Sequence, residues 1–246
     1  MSPAGRGRQL LARLPRLARG LHGAMARCAE GWRDWRDGID TVRHVAAADI
    51  VTDSANKARG IRYQPSPAAP LRTLLRSLQL PPGRTFIDIG AGKGRVLLAA
   101  RELPFARVIG VEYSAPLCAI ARRNLEAAQR RAPAGAPVEI HCCDAADYAF
   151  EHDEDVLYLF NPFDHVVLVR VLENLRSSLR RAPRRLWLVY HFPRWHEVIA
   201  ATGWLELHAV HRFREHEFAV FVHPPGTGVP GQVDGVEFGR ACGDMA

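Results

Sequence analysis

The chain has 246 residues, 48% hydrophobic and 24% charged, the balance of a soluble globular protein with one sizeable core. No apolar run approaches the ~20 residues of a membrane span. Five cysteines without a CxxC pair point to a reducing, cytoplasmic compartment and away from a disulfide framework or a zinc site. The formal net charge of +7 invites a nucleic-acid reading, but lysine stands only at 57 and 93. The basicity is first an arginine bias and only second a sign of an acidic partner.

Residues 1–29 contain no acid. Leu10, Leu14, Leu17 and Leu21 recur at helical spacing among arginines, a pattern open to lipid, nucleic acid or a protein partner and also similar to a presequence. Pro15, Gly20 and Gly23 interrupt it, so a partly disordered basic extension is expected. Trp32 and Trp35, three apart and flanked by Arg33, Asp34, Arg36 and Asp37, predict a helix that docks one face on the main domain. Asp37 and Asp40 read as solvated acids. These residues make up an N-terminal extension over 1–45.

The main domain is expected over 46–223. Pro65 and Pro67 force an extended approach to a helix, with Ser66 as its cap and Pro67 at its first position. Leu71, Leu74, Leu75 and Leu78 give that helix one apolar face, and Pro81-Pro82-Gly83 end it. The stretch Phe86 to Ala100, FIDIGAGKGRVLLAA, then reads as a buried strand closed by Asp88, a tight glycine loop and a helix. Such a loop offers backbone N–H groups and a helix N-terminus to a ligand, and glycine lets a ligand come close to the backbone.

Three ligands compete for it. A phosphate loop requires GxxxxGK followed by Ser or Thr, whereas Ile87 stands at the first glycine and Gly94 follows Lys93. A dinucleotide loop requires GxGxxG, and Arg95 occupies the last position. What remains is D-x-G-x-G-x-G, which resembles motif I of class I S-adenosylmethionine (SAM) methyltransferases, where an acid at the strand end suits an ammonium group.

Arg107 to Glu112 reads as the second strand, its terminal acid placed to accept hydrogen bonds from ribose hydroxyls. Ser114 caps the next helix, with Pro116 in its first turn. Val138 to Asp144 is the third strand, in which Cys142 and Cys143 read as small core residues on opposite faces. Asp155 to Phe160 is the fourth, ending in Asn161-Pro162-Phe163-Asp164. Leu168, Leu172, Leu175 and Leu179 mark a helix, and Leu186 to Tyr190 a fifth strand, with His191 after it as a structural histidine. Trp204–Phe213 and Glu217–His223 suit an antiparallel pair at the sheet's edge. From Pro224 onward no apolar period survives, and residues 224–246 are expected to form a mobile tail.

The resemblance to class I SAM methyltransferases covers roughly residues 60 to 223. It implies a Rossmann-like seven-stranded sheet, mostly parallel with one antiparallel strand and helices on both faces. It also implies a cofactor site of Asp88, Gly90, Ala91, Gly92, Gly94, Glu112 and Asp144, the last against the adenine. The segment around Tyr63 and Ser66 resembles one that lies against the cofactor's methionine in several N-methyltransferases. Asn161-Pro162-Phe163 resembles the [ND]-P-P-[YF] motif of amine methyltransferases and the N-N-F segment of non-SET histone-lysine methyltransferases. It implies that Asn161, Pro162, Phe163 and Tyr63 serve the transfer. The wording GIDT, RYQPSP, FIDIGAGKGR and YLFNPFD is similar to a bacterial family of SAM methyltransferases of uncharacterised function. The activity implied is methyl transfer from SAM to nitrogen, with protein lysine slightly ahead of a nucleic-acid base amine. A SAM-binding module without turnover is the alternative of a different class. No metal ligand cluster is read, and the oligomeric state stays open.

Overall fold

A computed structural model describes residues 30–226. The basic stretch before them and most of the tail lie outside the described residues. Seven strands form one sheet in the order β3-β2-β1-β4-β5-β7-β6. Their bounds are β1 Thr85–Ile89, β2 Arg107–Glu112, β3 Val138–Cys142, β4 Glu154–Leu159, β5 Leu186–His191, β6 Glu206–Phe213 and β7 His216–His223. The first five run parallel. β7 is antiparallel to β5, and β6 pairs antiparallel with β7 at the edge. The expected architecture is therefore the one observed, with the strand order reversing between β1 and β4. In open α/β sheets ligands bind beyond the carboxyl ends of the strands at such a reversal.

Helix α1 covers residues 30–37. It is followed by α2 Ala68–Ser77, α3 Arg95–Ala100, α4 Ala115–Arg131, α5 His165–Arg181 and the short α6 His196–Ala200. The central strands β1, β4 and β5 are buried along their whole length and mostly apolar, as strands covered on both faces tend to be. One face packs Ile87, Ile89, Leu157 and Leu188 against Val167, Leu168, Leu172 and Leu175 of α5. The other packs Phe86, Val156, Tyr158 and Val189 against Leu71 and Leu74 of α2 and Val96 and Leu97 of α3.

Several local expectations are corrected. Helix α1 does dock, but its tryptophans point away, Trp32 and Trp35 being 57% and 78% exposed. The docked side is acidic: buried Asp34 accepts from the Thr41 amide (2.6 Å), the Thr41 hydroxyl (2.8 Å) and the Val42 amide (3.0 Å). Asp40 is not merely solvated, since it pairs with buried Lys93 at 2.8 Å. Ser66 does not cap α2. The helix begins at Ala68 with Pro67 at its N-cap, and the Ser66 carbonyl accepts from Arg95 Nε at 3.0 Å. Ser114 holds the N-cap position of α4, yet its side chain makes no capping bond. Cys142 is exposed and Cys143 half-buried, so only Cys143 behaves as a core residue.

Candidate active site

A cavity of about 490 Å³ opens at the carboxyl ends of β1, β2, β4 and β5, and its walls include Asp88, Gly90, Ala91, Gly92, Glu112, Asp144, Asn161, Pro162, Phe163, Tyr63 and Ser66. The structure thus brings together the residues singled out from sequence, except Gly94, which caps α3 with φ +80°. A pocket of a few hundred Å³ holds a small molecule of nucleoside size.

The glycine loop does not work as an open anion cradle. The Gly90 and Ala91 amides both donate to the Val111 carbonyl (2.8 and 3.0 Å), and Gly94 donates to Ala91 (2.9 Å). The Gly92 amide donates to Glu112 Oε2 at 2.8 Å. With these amides spent internally, the loop offers little to a phosphate. The need for glycine also differs from expectation. Gly90 and Gly92 have φ of +86° and +53°, and a Cβ on them would lie 2.4 Å from Pro162 and 2.3 Å from the Tyr63 ring. The space is taken by protein side chains that close the pocket wall, so the glycines serve packing as well as backbone freedom.

The loop presents carboxylates instead. Asp88 is 3% exposed and has no hydrogen-bond or cationic partner among the described residues. Burial first, and the Glu112 charge second, push its carboxyl well above the usual range. Both cations of the loop are drawn elsewhere: Lys93 to Asp40 and Arg95 to Glu30 at 2.8 Å. An unpaired buried acid facing a pocket is costly unless a cation arrives. Glu112 accepts from Gly92 through one oxygen and from the Ser114 amide through the other, at 2.9 Å, which leaves acceptor capacity on each. Its carboxyl is raised by burial and opposed by these amides.

Asp144 is engaged differently. One oxygen accepts from the Ala146 amide at 2.8 Å, the other from Ser54 Oγ and from Asn56 Nδ2 at 2.9 Å. These bonds hold its carboxyl below the ordinary value against the opposing effect of burial. Ser54 and Asn56 belong to a strap, residues 41–63, that crosses the strand ends. Thr52 donates to the Tyr113 carbonyl (2.9 Å), Ile61 to the Pro162 carbonyl (3.1 Å), and Val45 and Tyr63 exchange backbone bonds. The strap was not read from sequence, because a segment without apolar period gives no signal of where it lies.

At the other end of the cavity stands the turn after β4. Asn161 has φ +44°, a left-handed conformation that asparagine tolerates better than most residues. Its Oδ1 accepts from Tyr190 Oη at 2.7 Å, and its Nδ2 donates to the Phe192 carbonyl at 2.5 Å. The amide thereby ties the ends of β4 and β5 together, with one Oδ1 lone pair to spare. Phe163 is mostly core, 8% exposed. The aromatic walls there also include half-buried Phe160 and Phe192, with Arg62 and Arg194 at the rim. Phe160 and Phe192 were missed from sequence, although each directly follows a strand. The Tyr63 hydroxyl points away from the cavity and donates to the Thr41 carbonyl at 2.7 Å, so only its ring faces the loop.

His191 is fully buried and stacked on Phe160, Phe192 and Phe218 at 4.3–4.4 Å. It is bonded to Tyr158 (3.1 Å) and His216 (3.2 Å). Burial holds its pKa down to about 3. The ring is neutral and enclosed by aromatic neighbours.

Residues 86–182 match the family model described as a methyltransferase domain. No curated protein matches the chain. Among solved structures, a putative O-methyltransferase from Nostoc punctiforme aligns with 13% identity and a TM-score of 0.51, covering 63% of this chain and 56% of that one. An RNA methyltransferase from Salinibacter ruber, in complex with S-adenosylhomocysteine, aligns with 20% identity and a TM-score of 0.48 over 67% and 98% of the two chains. A magnesium protoporphyrin IX methyltransferase from Synechocystis, with bound SAM, gives 16%, 0.48, and 64% and 78%. At these identities the likeness is one of fold. No helix among the described residues is long and apolar enough to cross a membrane. A partnerless buried acid, a loop whose Gly90, Ala91, Gly92 and Gly94 amides are engaged internally and a second strand-end acid suit a cationic, phosphate-free ligand, and residues 86–182 of the chain carry the match to a methyltransferase domain.

Proposed function

We propose that the protein transfers the methyl group of SAM to a nitrogen acceptor, a protein lysine slightly ahead of other amines. The observation that carries this reading is the polarity of a single cavity: unpaired Asp88 at one end, and Asn161 flanked by phenyl rings at the other. The cofactor supplies an electrophilic methyl on sulfur; the protein supplies placement. Asp88 accepts the ammonium of the cofactor's amino-acid head, and the free lone pairs of Glu112 take the ribose hydroxyls. Asp144, with Ser54 and Asn56 already on it, borders the adenine end, and Ser66 and the Tyr63 ring border the methionine.

At the acceptor end, the spare lone pair of Asn161 Oδ1 accepts a hydrogen bond from the target nitrogen and orients its remaining pair. Pro162, packed on Gly90, sets the distance of that turn from the cofactor loop. Phe160, Phe163 and Phe192 exclude water and tolerate the positive charge that develops on nitrogen. Orientation of two reactants in a dry site can remove several kcal/mol of barrier. The resemblance of Asn161-Pro162-Phe163 to the motif of amine methyltransferases supports this assignment.

A nucleic-acid base amine is the second reading, favoured by Arg62 and Arg194 at the rim, neither of which has an acidic partner among the described residues. Transfer of tritiated methyl from SAM into a cell lysate tests both. Label released by protease supports a protein acceptor, and label released by nuclease supports a nucleic acid. Calorimetric SAM binding with no labelled fraction would leave a binding module without turnover. Replacement of Asn161 by Ala is expected to keep SAM affinity within a few-fold while transfer falls at least ~100-fold; undiminished turnover removes Asn161 from the acceptor site.

A further inference from the structure

Helix α1 presents a surface that the catalytic reading does not use. Trp32 and Trp35 stand one turn apart on its outward face, 57% and 78% exposed. Arg33 and Arg36 are exposed beside them, and the Arg36 guanidinium lies over the Trp32 ring at 5.2 Å. The acids of the same helix are removed from that face or neutralised. Asp34 is buried under its three hydrogen bonds, Glu30 pairs with Arg95, and Asp37 pairs with Arg36 and with Arg131 of α4 at 2.7 and 2.6 Å. Among the described residues the one ring contact on either indole is that of Arg36 on Trp32. The result is an eight-residue turn of helix whose outward chemistry is indole and guanidinium, held to the domain by its carboxylates.

The chain that leads into this helix has the same chemistry. Residues 1–29 hold six arginines, no acid and leucines at 10, 14, 17 and 21. Indole rings settle at the headgroup level of bilayers, arginines next to anionic lipid each add about 1 kcal/mol, and leucines reach the acyl boundary. A phosphate-binding arm would use the arginines but has no use for repeated leucines or for aromatic rings aimed at solvent without base-reading groups.

We infer that the outward face of α1, with the basic stretch before it, docks this protein on an anionic bilayer surface without crossing it. The occupant is a negatively charged lipid headgroup layer, complementary in sign to Arg33, Arg36 and the arginines upstream.

The test is vesicle flotation of the full chain with phosphatidylcholine vesicles, with and without phosphatidylglycerol. The wild type is expected to float with the anionic vesicles only and to be released by salt. The double variant Trp32→Ala/Trp35→Ala, and separately Arg33→Glu, should weaken partition about tenfold or more. Their circular dichroism and calorimetric SAM binding should match wild type, which separates a docking defect from misfolding. Three results overturn the inference: no flotation of the wild type, flotation unaltered by both variants, or binding of single-stranded RNA in place of vesicles. Self-association that disappears with the tryptophans, in a chain that ignores vesicles, overturns it in favour of a second copy.

Discussion

Asp34 and Asp88 are both buried aspartates, 6% and 3% exposed, and they have opposite surroundings. Asp34 is surrounded by donors: two amides, a hydroxyl and the Arg95 guanidinium at 3.8 Å. Asp88 has none, although Lys93 and Arg95 belong to the loop that follows it. The contrast separates an acid that holds the fold from one left without a partner beside the cavity. Each cation that α1 and the residues after it withdraw from the loop is one that cannot neutralise Asp88. The docked segment thus helps leave Asp88 without a cation, while Asp34 fastens that segment down.

The sharpest way to break this contrast is Asp34→Ala. Three hydrogen bonds to a charged group vanish and the Thr41 and Val42 amides lose their acceptor, so we expect a loss of about 3–4 kcal/mol, read as a fall in Tm of roughly 6–16 °C.

Acid titration is comparable. His191 has a pKa of about 3 in the folded protein against 6.5 unfolded, so the unfolded state binds the extra proton. The stability from this group is complete above pH 6.5 and declines as pH falls from there to about 3, by roughly 3–5 kcal/mol in all. In His191→Gln, urea melts across that window should show a flatter pH slope than wild type.

Asp88→Asn sharpens the comparison from the other side. Relieved of an unpaired carboxylate, the cofactor-free protein should melt roughly 2–4 °C higher. Its calorimetric affinity for SAM should fall about 30- to 150-fold, the loss of one charge-assisted contact. An aspartate that held the fold would melt lower, not higher, when replaced by asparagine. The smallest effect belongs to Tyr63→Phe. Since the hydroxyl is committed to Thr41, we expect about 1 kcal/mol of stability lost and kcat within a few-fold of wild type. A collapse of kcat alone would give the hydroxyl a part in the chemistry.

Residue patterns foresaw the sheet and the polar centre of the site well, because both rest on local rules. Short apolar runs located the central strands, and the acids on or just after β1, β2 and β3 lie at the carboxyl ends that border the cavity. What failed depended on tertiary partners. Tryptophans normally mark a buried face, yet in α1 the backbone amides at Thr41 and Val42 found Asp34 and turned the helix over. Ser66 before Pro67 read as a cap, yet the helix starts one residue later, leaving the Ser66 carbonyl for Arg95. The commitment of Asp144 to Ser54 and Asn56 joins positions some ninety residues apart, and no periodicity announces such a pair.

The strap has a consequence for how this protein divides along its length. It lies wholly before residue 86, where the recognisable methyltransferase segment begins, yet it supplies one whole side of the cavity through Ile50, Asn56, Ile61 and Tyr63. The segment that matches the methyltransferase model and the strap that closes this side of the cavity are therefore separate stretches of polypeptide. Grafting a different strap onto the same strand ends would change what the enzyme admits while leaving its sheet, glycine loop and strand-end acids intact. Likeness counted over residues 86–182 alone leaves out the part of the cavity wall that the strap supplies.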